Sequence, residues 1–382
     1  MPLDLHLISL DVPYPPDYGG AIDIFHKVRA LHALGVRIRL HCFTYGSRPP
    51  REELASYCHT VRYYPRRTGL PSHLATLPYI VYSRRSAELL RTLRADRHPI
   101  LFEGLHCAYP LTLQGAFTDR RVLLRAHNVE HDYYRQLARR EPNVLRRLYF
   151  RKEAWLLRRL LDRLPPTLPV AAISPADTDY FRQRFTSTFW LPPFHSNTQV
   201  SALPGRGSYA LYHGNLAVAE NHEVAAQLIA AFAGGQVPLR VAGKDPPDAL
   251  RSLAAAAGNV TLLANPGDAE MQQLIARAHV ILLPTHQPTG IKLKLLESLY
   301  RGRHGLANRT MVAHTTLEPL VTLTEQDFYA ATLRLMQRPF TEADRSHRQA
   351  VLDRHYGTAD NARRLVDWFG EGGAAGWELT AE

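Results

Sequence analysis

The chain alternates short apolar runs with segments whose apolar residues recur at helical spacing. The first apolar run, residues 3–10, is followed by a polar loop at 11–20 and by a segment at 21–34 with apolar residues at every third position. A second apolar run follows at 36–43. Strands that alternate with helices predict a parallel sheet, and the loop after the first strand is where such sheets bind ligands.

The same alternation fills the chain twice. A polar stretch at 194–208 with proline and glycine interrupts it, and a new strand begins at 209. We therefore predict an α/β fold of two Rossmann-like, doubly wound parallel-sheet domains. Residues 309–312 are interpreted as one more strand. The predicted divisions are 1–195, 196–357, a helix at 358–370 that packs back on the first domain, and a loose tail at 371–382.

The most informative stretch lies late in the second domain. An apolar run at 279–284 is followed by a break, by Gly290, and by a predicted helix from Ile291 to Arg301. Unpaired N–H groups at a helix N-terminus attract anions. Lys292 and Lys294 add positive charge where a helix prefers acids. The stretch is either an anion site or a pair of solvated surface lysines.

Polar residues also follow several strands of the first domain. The loop 11–20 ends in Gly19 and Gly20, which let a backbone approach a ligand closely, although they are equally compatible with a simple turn. Strands at 100–105 and 122–125 end in further polar residues. Parallel strand ends share one sheet edge. This edge is predicted to gather Gly20, Glu103, His106, His127, Asn128 and Glu130.

Residues 139–163 form a predicted long, basic, amphipathic helix. Nine arginines and lysines accompany an apolar face that includes Leu145, Leu148 and Trp155. Such a helix can lie on an anionic membrane. The alternative is a surface helix that packs its apolar stripe on the sheet.

Composition narrows the class of protein. The 382 residues carry 46 Lys and Arg against 35 Asp and Glu, a net charge of +11 that favours anionic partners. Three scattered cysteines form neither a metal spacing nor a disulfide framework, which suits the cytoplasm. The start of the chain lacks the basic region of a secretory signal. The predicted location is cytoplasmic, with the inner face of the membrane as a second option.

Two other functions are each suggested by one feature of the sequence. His127, Glu130 and His131 match the H-x-x-E-H pattern of certain zinc hydrolases, but that chemistry needs both histidines one turn apart on a helix. Here they follow the β-rich run VLLRA. The basic charge alone would suit a nucleic-acid-binding protein, yet no RRM, KH or zinc-finger pattern is present. We therefore expect no metal and no nucleic acid.

Several motifs together resemble one family. They are DVPYPPDYGG at 11–20, RAHNVEHDYY at 125–134, AAISPADTDYF at 171–181, HGNLAVAEN at 213–221, VAGK at 241–244 and TGIKLKLLESLYRG at 289–302. The combination resembles the family-4 retaining glycosyltransferases of GT-B architecture, in particular bacterial members of group 1 type. This resemblance implies that the two domains face each other across a cleft. The resemblance extends to about residue 370. It implies transfer of a sugar from a nucleotide-diphosphate sugar to a hydroxyl on a glycan, a lipid-linked acceptor or a small molecule.

The resemblance also implies roles for individual residues. Glu297 would grip the nucleotide ribose, and His106 or His127 would be the histidine near the donor sugar; these three are the catalytic candidates. The acceptor side would comprise Glu103, His106, Asn128 and Glu130. No cofactor is implied, because backbone donors and lysines stabilise the leaving diphosphate. The donor-binding residues would be Gly19, Gly20, Gly214, Asn215, Lys244, Thr289, Gly290, Ile291, Lys292, Lys294 and Glu297.

Two departures from the family pattern leave an alternative open. Thr289 stands where the family has the first glutamate of its E-x7-E motif, which normally contacts the donor sugar. The basic pair expected after the strand at 209–213 is replaced by Gly214 and Asn215, so that Lys244, Lys292 and Lys294 would supply the charge. The alternative function is a GT-B-fold sugar-nucleotide epimerase or an inactive sugar-nucleotide binder.

Overall fold

The computed structural model describes residues 2–46, 48–287 and 290–370. The chain divides into two compact units, with boundaries between Ser196 and Asn197 and between His355 and Tyr356. The N-terminal unit thus contains the start of the chain together with its last helix, and the C-terminal unit is the stretch between them. No helix in the described ranges combines the length and the apolar character that crossing a bilayer requires.

The N-terminal unit is built on a seven-stranded parallel sheet with the order β3-β2-β1-β4-β5-β6-β7. From β1 the strands β2 and β3 are added on one side, and the strands β4 to β7 are then added on the other side of β1. The switch point of this sheet therefore lies between β1 and β4. The strands are β1 (Asp4–Ser9), β2 (Arg37–Thr44), β3 (Thr60–Pro65), β4 (Ile100–Glu103), β5 (Val122–Ala126), β6 (Val170–Ala172) and β7 (Thr188–Trp190).

Helices pack on both faces of this sheet because its strands carry apolar side chains on both sides. One face buries Phe102, Leu124 and Leu157 among others, and the opposite face buries Leu7, Ile24 and Leu101. The helices of this part are α1 (Gly19–Ala33), α2 (Leu70–His73), α3 (Tyr79–Tyr82), α4 (Ala87–Arg94), α5 (Glu130–Arg140), α6 (Val144–Arg163) and α7 (Pro175–Arg182).

The C-terminal unit repeats the plan on a six-stranded parallel sheet with the order β10-β9-β8-β11-β12-β13. Its switch point lies between β8 and β11. The strands are β8 (Ala210–Asn215), β9 (Leu239–Lys244), β10 (Val260–Ala264), β11 (Val280–Leu283), β12 (His304–Ala307) and β13 (Thr322–Leu323). The helices are α8 (Ala219–Phe232), α9 (Asp248–Ala256), α10 (Asp268–Arg277), α11 (Leu293–Arg301), α12 (Arg309–Val312), α13 (Phe328–Met336) and α14 (Glu342–Tyr356).

The last helix, α15 (Thr358–Phe369), belongs to the N-terminal unit. Its Leu365, Trp368 and Phe369 join the core face formed by β1, β2 and α1. Thr358 receives the N–H of His195 on its hydroxyl and donates that hydroxyl to the carbonyl of His195, which fixes the start of the helix. The residues predicted as a tail, 371–382, lie outside the described ranges.

Three sequence predictions about secondary structure were wrong. Residues 309–312 form α12 rather than a strand, because the Asn308 side chain accepts the N–H of Met311 and caps a helix. Residues 139–163 are divided between α5 and α6, because Pro142 interrupts the helix and Asn143 caps a new one. The helix expected from Ile291 begins at Leu293, after an extended Lys292.

Candidate functional site

Each sheet has a switch point in its strand order, where the carboxyl ends of the strands in an open α/β sheet form a crevice. In the C-terminal unit a carboxylate links the two strands that flank this point. Glu220, in the first turn of α8 after β8, accepts the hydroxyl of Thr285 at 2.6 Å and the N–H of His286 at 2.8 Å, both just after β11. The contact fixes the first part of the segment that leads toward α11. Open α/β sheets bind ligands at this position.

Lys294 lies in the first turn of α11, and its ammonium group is partly buried. The Nζ atom lies 5.3 Å from the ring centre of Tyr212, a cation–π contact. Burial lowers the pKa of Lys294 to about 8, and attraction to Glu220 opposes that shift. Burial and the nearby charge of Lys294 lower the pKa of His213 to about 4. The Nε2 atom of His213 lies 3.2 Å from the Ser298 hydroxyl. The crevice therefore holds a cationic lysine beside a neutral histidine at neutral pH.

The remaining predicted residues of this stretch lie around the helix start. Gly290 has a φ of 71°, the left-handed region that glycine adopts without strain. Lys292 is the N-cap residue, and its ammonium donates to the Gly290 carbonyl at 2.9 Å. Ile291 precedes it and is half-buried. Glu297 lies one turn further on, 41% exposed and 4.0 Å from Arg301; partial burial raises the pKa of its carboxyl. Thr289 lies outside the described residues.

The ends of β8 and β9 bring Gly214, Asn215 and Lys244 to the same edge. Both strands run through the predicted loop residues, so Gly214 and Asn215 end β8 rather than follow it. Glycine is required at 243, because a Cβ there would lie 1.9 Å from the Gly214 carbonyl oxygen. The Asn221 side chain donates to the Asn215 carbonyl at 2.9 Å and closes the turn before α8. Lys244 is exposed at the end of β9.

The crevice of the N-terminal unit begins at the loop between β1 and α1. Gly19 and Gly20 form the first turn of α1, whose N-cap residue is an extended Tyr18. A Cβ on Gly20 would lie 3.1 Å from the Tyr18 ring, so glycine keeps this turn narrow. Arg48 holds the loop in place by donating to the carbonyls of Val12 and Pro15. The unpaired N–H groups of this helix end are thereby presented at the switch point.

Beneath that turn lies a buried ionic network. Lys27 donates to both carboxylate oxygens of Glu103, at 2.7 and 2.9 Å, and to Asp23 at 3.1 Å. Arg125 lies 3.3 Å from Asp23 and also donates to the carbonyls that follow β7. All four side chains are at most 1% exposed. Although burial opposes ionisation, the two cations hold the pKa of Asp23 below its ordinary range, and Lys27 with His127 does the same for Glu103.

His127 is held by this network through both ring nitrogens. Its Nε2 donates to Glu103 Oε2 at 3.0 Å, and its Nδ1 lies 3.6 Å from Asp23 Oδ2. Asp23, Glu103 and His127 are the one group within the described ranges whose ligand atoms lie close enough together to hold a metal ion. The ammonium of Lys27 already bonds to both carboxylates, so a divalent cation would meet a fixed positive charge. The residues do not fit a metal site.

His106 differs from His127, because its Nδ1 is buried and has no hydrogen-bond partner among the described residues. It lies in a single turn of 3-10 helix after β4. A Cβ on Gly104 would lie 3.1 Å from this Nδ1 and 3.5 Å from the His127 ring, so glycine lets the two histidines flank one backbone position. Burial and the charge of Arg84 lower the pKa of His106 well below its ordinary value. His106 is therefore a neutral imidazole with unused hydrogen-bonding capacity.

Glu130 lies in the first turn of α5, with Oε1 3.8 Å from His106 Nδ1. Burial, reinforced by Asp177, raises the pKa of Glu130 to about 8. Glu130 is thus a neutral carboxyl group at pH 7. Asn128 lines a small cavity beside it. The sequence grouping of Gly20, Glu103, His106, His127, Asn128 and Glu130 therefore corresponds to neighbouring elements of one sheet edge.

The H-x-x-E-H pattern does not form a zinc site. His127 precedes α5 and contacts Glu103, whereas His131 lies inside the helix with its Nε2 3.0 Å from the Tyr180 hydroxyl. The two rings thus have different partners on different elements.

Sequence reasoning missed Asp23, Lys27, Arg125 and Glu220. A signal for Lys27 was present, because it falls among Ile24, Val28 and Leu31 on the buried stripe of α1. A lysine in an apolar stripe needs a buried anionic partner. Its partner Glu103 lies 76 positions away, which no local pattern reveals.

The chain matches no family model. Among curated proteins, it is 22% identical over 321 residues to an uncharacterized 44.6 kDa protein in the cps region of Klebsiella pneumoniae, covering 77% of this chain and 79% of that protein. Among solved structures, it is similar to HepE of Anabaena in complex with UDP and glucose, with a TM-score of 0.62 and 12% identity over 96% of this chain and 98% of that one.

Two further solved structures have the same fold over 96% of this chain. A glycosyltransferase from Rickettsia africae gives a TM-score of 0.64 at 10% identity and 98% coverage of its own chain. Sucrose-phosphate synthase from Thermosynechococcus elongatus gives a TM-score of 0.58 at 17% identity and 95% coverage. The protein therefore has the α/β fold of two parallel-sheet units found in the GT-B glycosyltransferases, as the sequence motifs predicted.

Proposed function

We propose that the protein is a retaining glycosyltransferase, which transfers a hexose from a nucleotide-diphosphate sugar to a hydroxyl acceptor. The observation that carries this proposal is the switch-point crevice of the C-terminal unit. There Lys294, Lys292 and the start of α11 place positive charge beside the segment fixed by Glu220. A leaving nucleoside diphosphate needs such preorganised charge.

A uridine nucleotide is the first donor to test. HepE, which shares the fold, was solved with UDP-glucose as well as with UDP, at a TM-score of 0.63 and 12% identity for the UDP-glucose complex. Under this proposal Glu297 accepts hydrogen bonds from the nucleotide ribose. The Glu297 side chain is 41% exposed, so a ligand can reach its carboxylate. The distance to Arg301 Nε is 4.0 Å, which is long for an ion pair.

Within the N-terminal unit we assign the sugar-facing role to His106 rather than His127. The nitrogens of His127 are already directed at Glu103 and Asp23, whereas Nδ1 of His106 lacks a partner. A neutral imidazole can donate to or accept from a sugar hydroxyl. Glu103 and Asp23 act as positioning residues for His127.

The chemistry requires no glycosidase-type carboxylate pair. Retention follows if the donor phosphate takes the proton of the acceptor hydroxyl, which then attacks the anomeric carbon on the face that the diphosphate leaves. Metal independence is part of the proposal, with lysines and backbone N–H groups supplying the charge.

Calorimetry with UDP, GDP, dTDP and CMP sugars tests the donor proposal. We expect one nucleotide class to bind with a Kd at least tenfold below the others, in the presence of EDTA. Incubating that donor with glycan, lipid-linked and small-molecule acceptors should then release the nucleotide in an acceptor-dependent manner, with the anomeric configuration retained by NMR.

Three outcomes would contradict the proposal in different ways. Binding without turnover in any acceptor mixture would favour an inactive binder. Interconversion of the donor sugar would favour an epimerase. If no nucleotide sugar binds, the C-terminal crevice is not a donor site.

The two histidine variants test the assignment of His106 to the sugar. His106→Ala should lower kcat more than His127→Ala does, while its nucleotide affinity stays unchanged.

A further inference from the structure

The outer face of α6 exposes large apolar side chains. Leu145 is 78% exposed, Leu148 53% and Trp155 56%. At 100° per residue these three lie on one side of the helix, with Val144 beside them. The buried stripe that packs into the core, including Leu157 and Leu161, lies on the other side. The apolar residues of this helix, predicted as a single face, therefore divide between two faces.

A second element extends this surface. The short helix α2 exposes Leu70 at its start by 69% and Leu74 at its end by 72%. Lys152 of α6 donates to the carbonyl of His73 at 2.6 Å, and the rings of His73 and Tyr149 lie 5.8 Å apart. The two helices are thereby held side by side. We call the exposed residues Leu70, Leu74, Val144, Leu145, Leu148 and Trp155 the α2–α6 surface.

Positive charge surrounds the apolar residues. Arg159 lies 5.1 Å from the ring centre of Trp155 and directs its charge over the exposed tryptophan. Arg151 and Lys152 are exposed on the same side of the helix. The acids of α6 do not balance them, because Glu153 is 1% exposed and Asp162 pairs with Arg158. Exposed leucines and tryptophan within a cationic border are typical of helices that lie in the interface of an anionic membrane.

We propose that the α2–α6 surface docks on a bilayer of anionic phospholipids. The apolar side chains would enter the headgroup region while the arginines and lysines bind lipid phosphates. A second copy of the chain fits this surface less well, since a two-fold contact would bring the same cations together. This inference does not depend on the transferase chemistry, so the two proposals can fail separately.

Vesicle flotation with the full chain tests the docking. We expect the protein to float with vesicles that contain phosphatidylcholine and about one-third phosphatidylglycerol, and to remain below with phosphatidylcholine alone. Binding should fall several-fold when sodium chloride rises from 0.05 to about 0.5 M, because salt screens the charges. Equal binding to both vesicle types, or no binding to either, would overturn the proposal.

Matched variants assign the binding to this surface. Leu145→Ser combined with Leu148→Ser should weaken vesicle binding at least about tenfold, because burial of apolar area contributes to interfacial affinity. Leu203→Ser combined with Leu253→Ser removes two other exposed leucines, from the C-terminal unit, and should leave binding unchanged. Equal losses in both pairs would contradict the assignment. If instead the first pair converts a dimer into a monomer by light scattering, the surface is a subunit contact.

Tryptophan emission gives an independent reading. Trp155 is exposed, whereas Trp190 and Trp368 are at most 5% exposed. In a Trp377→Phe background, addition of anionic vesicles should shift the emission to shorter wavelength, and brominated lipids should quench it. The shift should disappear in a Trp155→Phe variant. An unchanged spectrum in the presence of vesicle-bound protein would show that another surface makes the contact.

Discussion

The two switch-point crevices hold their charges in different ways. In the N-terminal unit, Lys27 and Arg125 each contact a carboxylate at 3.3 Å or less, and the network is almost fully buried. In the C-terminal unit, Lys294 is half-buried beside an aromatic ring, and its positive charge is neutralised less directly. The first arrangement fixes the position of a histidine; the second leaves a cation available to a ligand. The same sheet topology thus supports one switch point held by a buried ionic network and another whose charge is carried by a partly buried lysine.

Breaking the buried network should have the largest effect. Lys27→Met would leave Glu103 and Asp23 without their shared cation, which typically costs about 3–5 kcal/mol. All four tryptophans lie outside residues 197–355, so their emission in a urea titration reports unfolding of the N-terminal unit alone. The variant Arg91→Met, at an exposed position on α4 of the same unit, should change the free energy of unfolding by less than about 0.5 kcal/mol. Equal stability of the two variants would show that Lys27 does not hold the network together.

Removing the proposed ribose contact of Glu297 should have the next largest effect. Glu297→Ala should raise the Kd of the preferred nucleotide at least tenfold, about 1.4 kcal/mol, because a hydrogen-bonded carboxylate is lost. Glu270→Ala, on the exposed side of α10, serves as the control for charge. Calorimetry measures both variants. Unchanged affinity in Glu297→Ala would eliminate the ribose assignment.

Glu130 provides a pH test of the N-terminal crevice. Its pKa in the folded protein is raised to about 8, so its contribution to stability is complete below its ordinary value near 4.5 and is lost as the pH rises through about 8. From pH 7 to 9 this group alone should lower the free energy of unfolding by roughly 1 kcal/mol.

The variant Glu130→Gln should remove that pH dependence, as followed by urea titrations at pH 7 and 9. Glu53→Gln, which is exposed, should retain the wild-type slope. A Gln variant that still loses the same stability would show that Glu130 already carries its charge at pH 7.

Lys294 should give the smallest effect, which is a dependence of nucleotide affinity on pH. Its pKa of about 8 means that the ammonium loses its charge between pH 7 and 9, so nucleotide affinity should fall several-fold over that range. Lys294→Arg, which stays charged, should bind nucleotide with little pH dependence. Calorimetry at constant ionic strength measures both. A wild-type Kd that stays constant to pH 9 would place the diphosphate elsewhere.

The sequence predicted the succession of strands and helices well because parallel sheets have strong local patterns. The extent of α15, Thr358–Phe369, was predicted for the same reason. The errors arose at helix ends, where local capping interactions decide between helix and strand and the spacing of apolar residues carries no information about them. Asn308 could have indicated a helix start at Arg309, but the apolar residues that follow also suit a strand. The start of α5 was hidden because Val129 provides no side-chain cap.

The site was predicted less completely, for a different reason. Strand ends identify which residues reach the crevice, but not which of them are already engaged with one another. His106 and His127 could not be distinguished in the sequence, since the difference depends on Lys27 and Glu103, which are far apart along the chain. Lys294 was found as a charge, but its contact with Tyr212 depends on the pairing of β8 with β11.

The place of α15 has a consequence for how the protein is made. Leu365, Trp368 and Phe369 complete the core of the N-terminal unit, yet they are synthesised after the whole C-terminal unit. During translation, an apolar face of β1, β2 and α1 in the first 196 residues therefore stays exposed to solvent until the C-terminal unit has been synthesised. The unit that begins translation is the last to be finished, and a premature stop at Gly357 would give a complete C-terminal unit and an N-terminal unit that lacks α15 and exposes its apolar core face to proteases.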